Sequence, residues 1–279
     1  MSAPTVEENP VTGKAELGFQ ELVGSDIFEF IAESAPAQVT ARIAKSEDHF
    51  RKSQRLVGVD EEMGAIRLIA AEEELVVAIF ECLKQRAELF PEHADFVKQF
   101  KRHPVKLSFY PVLQTFRWSL HHLFADGFTL EGLEDVIDWR IRPVVRDRKV
   151  MLLIHSGKGE EILSTAPFTF SVSMSGKTDE DVINELYADF EKEIKKQGKV
   201  SVHQFIIDRA EYRNRLLYAN DDGYVEMEET LEQLLEIFRR SLHDLLWVVA
   251  LLLGDPPPSK KWGIVAQFIA VYRKVLQAK

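Results

Sequence analysis

The stretch Gly64 to Lys84, GAIRLIAAEEELVVAIFECLK, sets the terms for the rest of the chain. It has no Pro, carries Gly only at its first position and is rich in Ala, Leu and Glu, so intrinsic propensity makes it a strong helix. Ile66, Ile69, Val76, Val77 and Phe80 fall on one side at helical spacing, while Ala65, Leu68, Leu75, Ile79 and Leu83 cover much of the rest. A helix apolar nearly all round is a buried one. Yet Glu72, Glu73 and Glu74 stand consecutively in its middle. Successive residues of a helix lie about 100° apart around its axis, so the three cannot share one solvent-facing stripe. At least one carboxylate points inward. An unpaired buried charge is very costly, so the rest of the chain must supply a cation or hydrogen-bond donors.

The nearest supply lies just beyond this helix. Lys98, Lys101, Arg102, His103 and Lys106 place five cationic or potentially cationic groups in nine residues, with Phe96, Phe100, Phe109 and Tyr110 interleaved. Two readings of this segment stand side by side. A basic, aromatic stretch suits nucleic acid, through phosphates and base stacking. Equally, Phe96 and Phe100 at i,i+4 suit a helix with its aromatic face in the core and its lysines in water. Pro91 is expected to begin this helix, and Pro104 and Pro111 to interrupt or kink the chain beyond it.

Helical patterns dominate elsewhere. Leu17 to Ser34 reads as a first helical piece with Ser25-Asp26 as its N-cap, and Pro36 ends it; Ala37 to Leu56 reads as a longer amphipathic helix. Ser175 or Thr178 with Glu180 and Asp181 opens another up to Gly198, and Val202 to Ala219 comes next, with Arg209, Tyr212 and Arg213 close together on one face. Asn220 to Gly223 is a turn by its chemistry. Glu226 to Leu253 is a long helix ending in the nine apolar residues LLWVVALLL, too short to span a bilayer, and Trp262 to Leu276 forms the last one. Between about 141 and 176 the texture changes. KVMLLIH, the Gly-rich SGKGEE and the alternating FTFSVSM read as strands joined by a turn, preceded by Arg140, Arg142, Arg146, Arg148 and Lys149, a solvated charged linker with phosphate binding as the alternative. The turn lacks the first glycine and the GK[ST] ending of a phosphate loop, which discounts nucleotide hydrolysis there. The expected fold is mainly α: a helical bundle with a small β-hairpin or sheet insertion, formed by one domain over residues 17–279 after a disordered segment 1–16.

The net charge of −10 argues against a general nucleic-acid coat, whose binding rests on Lys and Arg, though a local basic groove remains allowed. The one cysteine, Cys82, rules out an intrachain disulfide and a multi-cysteine zinc site and makes the cytoplasm the default location. The first residues, with acidic groups and no apolar core, read as neither signal peptide nor membrane span. No E-x-x-H pair of the di-iron type stands on the central helix, so neither a metal nor a cofactor is expected.

Three stretches, in this order, carry a resemblance: EMGAIRLIAAEEELVVAIFE, FVKQFKRHPVKL and YRNRLLYANDDG. They resemble the Ala-rich A-x-x-x-A-x-E-E helix, the F-x-x-H-x-x-K element and the R-x-x-x-L-Y-V-D turn of the AbiV-like abortive-infection proteins, a bacterial phage-defence group placed near the HEPN helical superfamily. Ala219-Asn220 departs from that group's Val-Asp. The resemblance implies growth arrest during phage infection, with RNA, a phage or host protein, or a second copy of the chain as partner. It also implies a metal-independent ribonuclease, in which an Arg and a His with four to six residues between them serve a ribose hydroxyl and the phosphate. Arg117 and His122 have that spacing, with Trp118 where a polar residue is expected; Arg42 and His49 show how permissive the spacing is.

Two classes of function stay open. In the first, Arg117 and His122 cut RNA that the Lys98 to Lys106 segment and the Arg209/Arg213/Arg215 helix hold. In the second, the protein is a non-catalytic interaction or regulatory module, and Glu72, Glu73, His103, Lys106, Arg209, Arg213 and Tyr218 form a polar network that fixes the bundle. An echo adds one more expectation. F-R-x-S-L-H-x-L occurs at Phe116 to Leu123 and again at Phe238 to Leu245, so Arg117, His121, Arg239 and His243 would converge on an anion if the two helices were paired.

Overall fold

The computed structural model describes residues 16–125, 139–147, 149–156, 161–165, 171–174, 176–199, 201–218, 227–254 and 263–278. Of the segment expected to be disordered, residues 1–15 lie outside them, as does the turn 220–223. The described chain is mainly helical with one small antiparallel sheet.

The first helical piece is two helices, α1 (Phe19–Val23) and α2 (Ser25–Ser34), divided at Gly24. Gly24 has φ of 87°, a left-handed conformation that favours glycine. Ser25 is therefore the first helical residue of α2, not its cap. Helix α3 (Ala37–Gln54) lies against α4 (Glu61–Gln85), the central helix, which Asp60 caps by accepting from the Met63 amide at 3.0 Å. No α-helix begins at Pro91. Short 3₁₀ turns at Ala87–Leu89, Pro91–His93 and Phe96–Lys98 carry the chain onward, and Phe96 and Phe100 still reach the core by packing on Phe80, at 6.1 and 6.2 Å between ring centres.

Helix α5 (His103–Ala125) runs unbroken through Pro111. Pro104 sits in its first turn, where a missing N–H costs nothing, and the helix continues past Pro111 as well although that proline orphans the Leu107 carbonyl. The sheet has three strands, β1 (Trp139–Arg146), β2 (Lys149–Ser156) and β3 (Glu161–Thr165), in the order β1-β2-β3. Val145 pairs with Val150 and Arg146 with Lys149, so the charged linker expected at Arg140 to Lys149 is instead the first strand and its turn. Residues 171–174, expected to form a strand, are irregular. Gln267 holds Val172 from both sides, accepting from its N–H at 2.8 Å and donating to its carbonyl at 2.7 Å.

Four helices complete the fold. Thr178 and Asp181 form a capping box for α6 (Asp179–Lys196), and Ser201 caps α7 (Val202–Leu217). Helix α8 (Leu231–Leu253) starts later than Glu226 because Thr230 caps it reciprocally with Gln233, and α9 (Gly263–Gln277) closes the core through Phe268 and Tyr272. Helices α3, α4 and α8 form the packed centre, with α5, α6, α7 and α9 beside it. Among the described residues no helix is long and apolar enough to cross a membrane.

Candidate functional site

The three glutamates of α4 separate as helical geometry requires. Glu72 and Glu73 are buried, at 1% and 6% exposure, whereas Glu74 lies nearer the surface and pairs with Arg42 at 2.9 Å. Each buried carboxylate meets the donors of another element. Glu73 takes His103 Nδ1 at 2.7 Å and Lys106 Nζ at 3.1 Å from the first turn of α5, and Arg213 of α7 approaches it to 3.6 Å. Because His103 and Lys106 are three apart on one helix, both reach the same carboxylate. Arg213 also faces His103 Nε2 at 3.5 Å. A guanidinium can only donate, so the tautomer serving both contacts carries its proton on Nδ1 and gives it to Glu73.

Glu72 pairs with Arg209 at 2.9 Å. The same guanidinium donates through Nε to the carbonyl of Leu107, which is the acceptor that the Pro111 ring leaves without its i+4 amide. Helices α4, α5 and α7 are thus tied by two neighbouring clusters. Six of the seven residues named for the network from sequence meet there: Glu72, Glu73, His103, Lys106, Arg209 and Arg213. Tyr218 does not. It ends α7 in an extended conformation at 69% exposure, so its side chain leaves the network.

Arg117 has a different neighbourhood from the one expected. Its guanidinium pairs with Asp244 of α8 at 2.9 Å, and that carboxylate also accepts from the Tyr110 hydroxyl and contacts His243 Nδ1, each at 3.2 Å. Trp247 donates its indole N–H to His243 Nε2 at 3.2 Å, so both nitrogens of His243 are engaged. The side chains of His121 and His122 lie outside the described residues. Arg117 and His243 do converge on an anion, but that anion is Asp244 of the chain itself, and Arg239 pairs instead with Glu236 on its own helix. Burial works against ionisation of Asp244, but the His243 hydrogen bond, the Arg117 charge and the Tyr110 hydroxyl outweigh it and hold the carboxyl below its ordinary value. Burial first, and then Asp244, push the Tyr110 hydroxyl well above its ordinary value. The histidine at Arg42's spacing, His49, faces Arg67 at 3.2 Å.

Sequence reasoning missed Tyr110, Asp244 and Trp247 as members of this cluster. The repeated F-R-x-S-L-H-x-L carried the available signal, since it put His243 beside Asp244 on the helix that meets Arg117.

A cleft of about 920 Å³ opens between these two groups of charges. Its floor is α4 at Ala65, Ile69 and Glu72. Helix α5 forms one wall through Leu107, Pro111, Thr115 and Trp118, and α6, α7 and α8 supply the others, including Phe190, Phe205 and Phe238. Cys82 lies elsewhere and is buried, which pushes its thiol up to about 12 and leaves it unreactive at neutral pH. Among the described residues no group of three or more His, Cys, Asp and Glu is placed to hold a metal ion. Comparisons of the chain with family models, with curated proteins and with solved structures give no match.

Proposed function

We propose that the chain is a non-catalytic helical interaction module, and that growth arrest of the abortive-infection kind, which its AbiV-like motifs suggest, comes from a protein partner rather than from RNA cleavage. One observation carries the reading. Of the cations put forward for RNA, Lys106 and Arg213 are held on Glu73, Arg209 on Glu72, Arg117 on Asp244 and Lys98 on Asp95, which leaves Lys101 and Arg102 exposed without an ion pair among the described residues. Phosphate binding draws its strength from cations free to replace counterions, and a guanidinium already on a buried carboxylate contributes little of that. Arg215, the last cation of that helix, donates to the Asp208 carbonyl at 2.9 Å.

One observation favours the ribonuclease reading. Arg117 and His243, from two helices, reach one carboxylate at a partly exposed place. Against it, a general base needs a nitrogen open to the reacting hydroxyl, and His243 has neither free. The test is induced expression in a bacterial host of the wild type, Arg117→Ala and His243→Ala, with total RNA followed over time. Intact RNA in all three is expected. RNA fragments with the wild type that either substitution abolishes overturn the reading and locate a nuclease site.

A further inference from the structure

We infer that the cleft among α4 to α8 is a docking groove for a basic amphipathic helix of a partner protein, an inference that rests on the interaction-module reading. Its shape comes first. Leu107, Pro111, Thr115 and Trp118 line it at helical spacing along α5, a run of about 16 Å at 1.5 Å per residue. That wall is about three helical turns long, room for a helix that places side-chain anchors at i, i+3 or i+4, and i+7.

The cleft is apolar where such anchors would lie. At its mouth Trp118 of α5, over whose ring Lys196 of α6 lies at 5.3 Å, and Ile237 of α8 are 50% and 53% exposed, large apolar groups on two different walls. Exposed apolar groups gathered at a cleft and rimmed by polar residues mark an interaction site.

Charge selects the partner. Three of the lining cations are neutralised within the chain: Lys196 by Glu193 at 3.2 Å, Lys199 by Asp208 at 3.5 Å and Arg209 by Glu72. Glu228 and Glu229 also line the groove and are exposed, with no ion-pair partner among the described residues, and Glu232 is exposed one turn further on. Five carboxylates then line the cleft against four cations, with Glu228 and Glu229 the exposed excess beside Arg215, and the net charge of −10 adds to the pull on a basic partner and steers RNA away. Arg215, the remaining lining cation, has its Nε buried without an acceptor.

The test is fluorescence anisotropy with the full chain and a labelled model peptide of about fourteen residues, a length of some 21 Å when helical. The peptide carries Leu on one face and Lys on the other; a second has Glu for every Lys, and a labelled single-stranded RNA is the third probe. Saturable binding of the Lys peptide alone is expected. Trp118→Ser with Ile237→Ser should weaken it at least tenfold, and Glu228→Lys with Glu229→Lys should weaken it and admit the Glu peptide, all with unchanged melting by circular dichroism. No saturable binding of the Lys peptide, or binding that these variants leave unchanged, overturns the groove while intact cellular RNA leaves the interaction-module reading standing. Tight RNA binding with RNA cleavage in cells overturns both.

Discussion

Arg209 donates its Nε–H to the carbonyl of Leu107, the acceptor that Pro111 leaves without a helical partner, and the same guanidinium neutralises the buried Glu72. A proline inside a helix ordinarily costs about 3 kcal/mol, partly through that orphaned carbonyl. Here the loss on α5 is met from α7, so a local defect becomes a tie between two helices and α4.

This relationship predicts a coupling. Arg209→Ala should cost about 3 kcal/mol, since it leaves Glu72 buried without its cation. In a Pro111→Ala background the Leu107 carbonyl regains a helical N–H, and the cost of Arg209→Ala should fall by about 1 kcal/mol, the net worth of one hydrogen bond. A double-mutant cycle by urea denaturation reads the difference; strict additivity would show that the two sites are independent.

The glutamates should differ sharply although they are adjacent. Glu73→Ala removes the carboxylate that holds Lys106, which is 13% exposed, and should cost about 3–5 kcal/mol. Glu74→Ala breaks a surface pair with a half-exposed Arg42 and should cost at most about 1 kcal/mol. Denaturant midpoints of the two variants check this directly.

Gly64→Ala replaces the poorest helix former after Pro by the best, which by propensity alone would stabilise α4 by about 1 kcal/mol. The new methyl group would collide with the fully buried Leu231 of α8. Overpacking of that kind costs about 1–3 kcal/mol, so a lower melting temperature is expected.

Acid should destabilise the fold through two histidines. His49 and His93 accept from Arg67 and Arg273, and burial, with neighbouring cations, lowers both below the ordinary 6.5. The unfolded chain then binds more protons than the folded one as pH falls past 6.5, so stability present above that pH is lost on the way down through the folded values. Replacing both with Gln should flatten the pH dependence of the melting temperature in that window. An unchanged slope would assign the acid sensitivity to other groups.

Much of this fold is written locally. The α4 sequence compels a buried helix with an inward carboxylate whatever surrounds it, because its apolar face exceeds half the circumference and its three glutamates cannot share one side. A cap at Ser175 or Thr178, which the structure places at Thr178, and stops near Pro36 and Gly254 are equally legible, since backbone groups at helix ends are satisfied by side chains a few residues away. The tertiary structure decided what lies between distant segments. Pro111 reads as a break until Arg209, 98 positions on by subtraction of the two numbers, supplies the donor its helix lacks. Arg117 reads as half of an Arg-His pair on its own helix until α8 places Asp244 against it. Spacing along one chain fixes which residues share a face; whether a charge on that face is free for a ligand depends on the through-space field of other elements, which no local pattern contains.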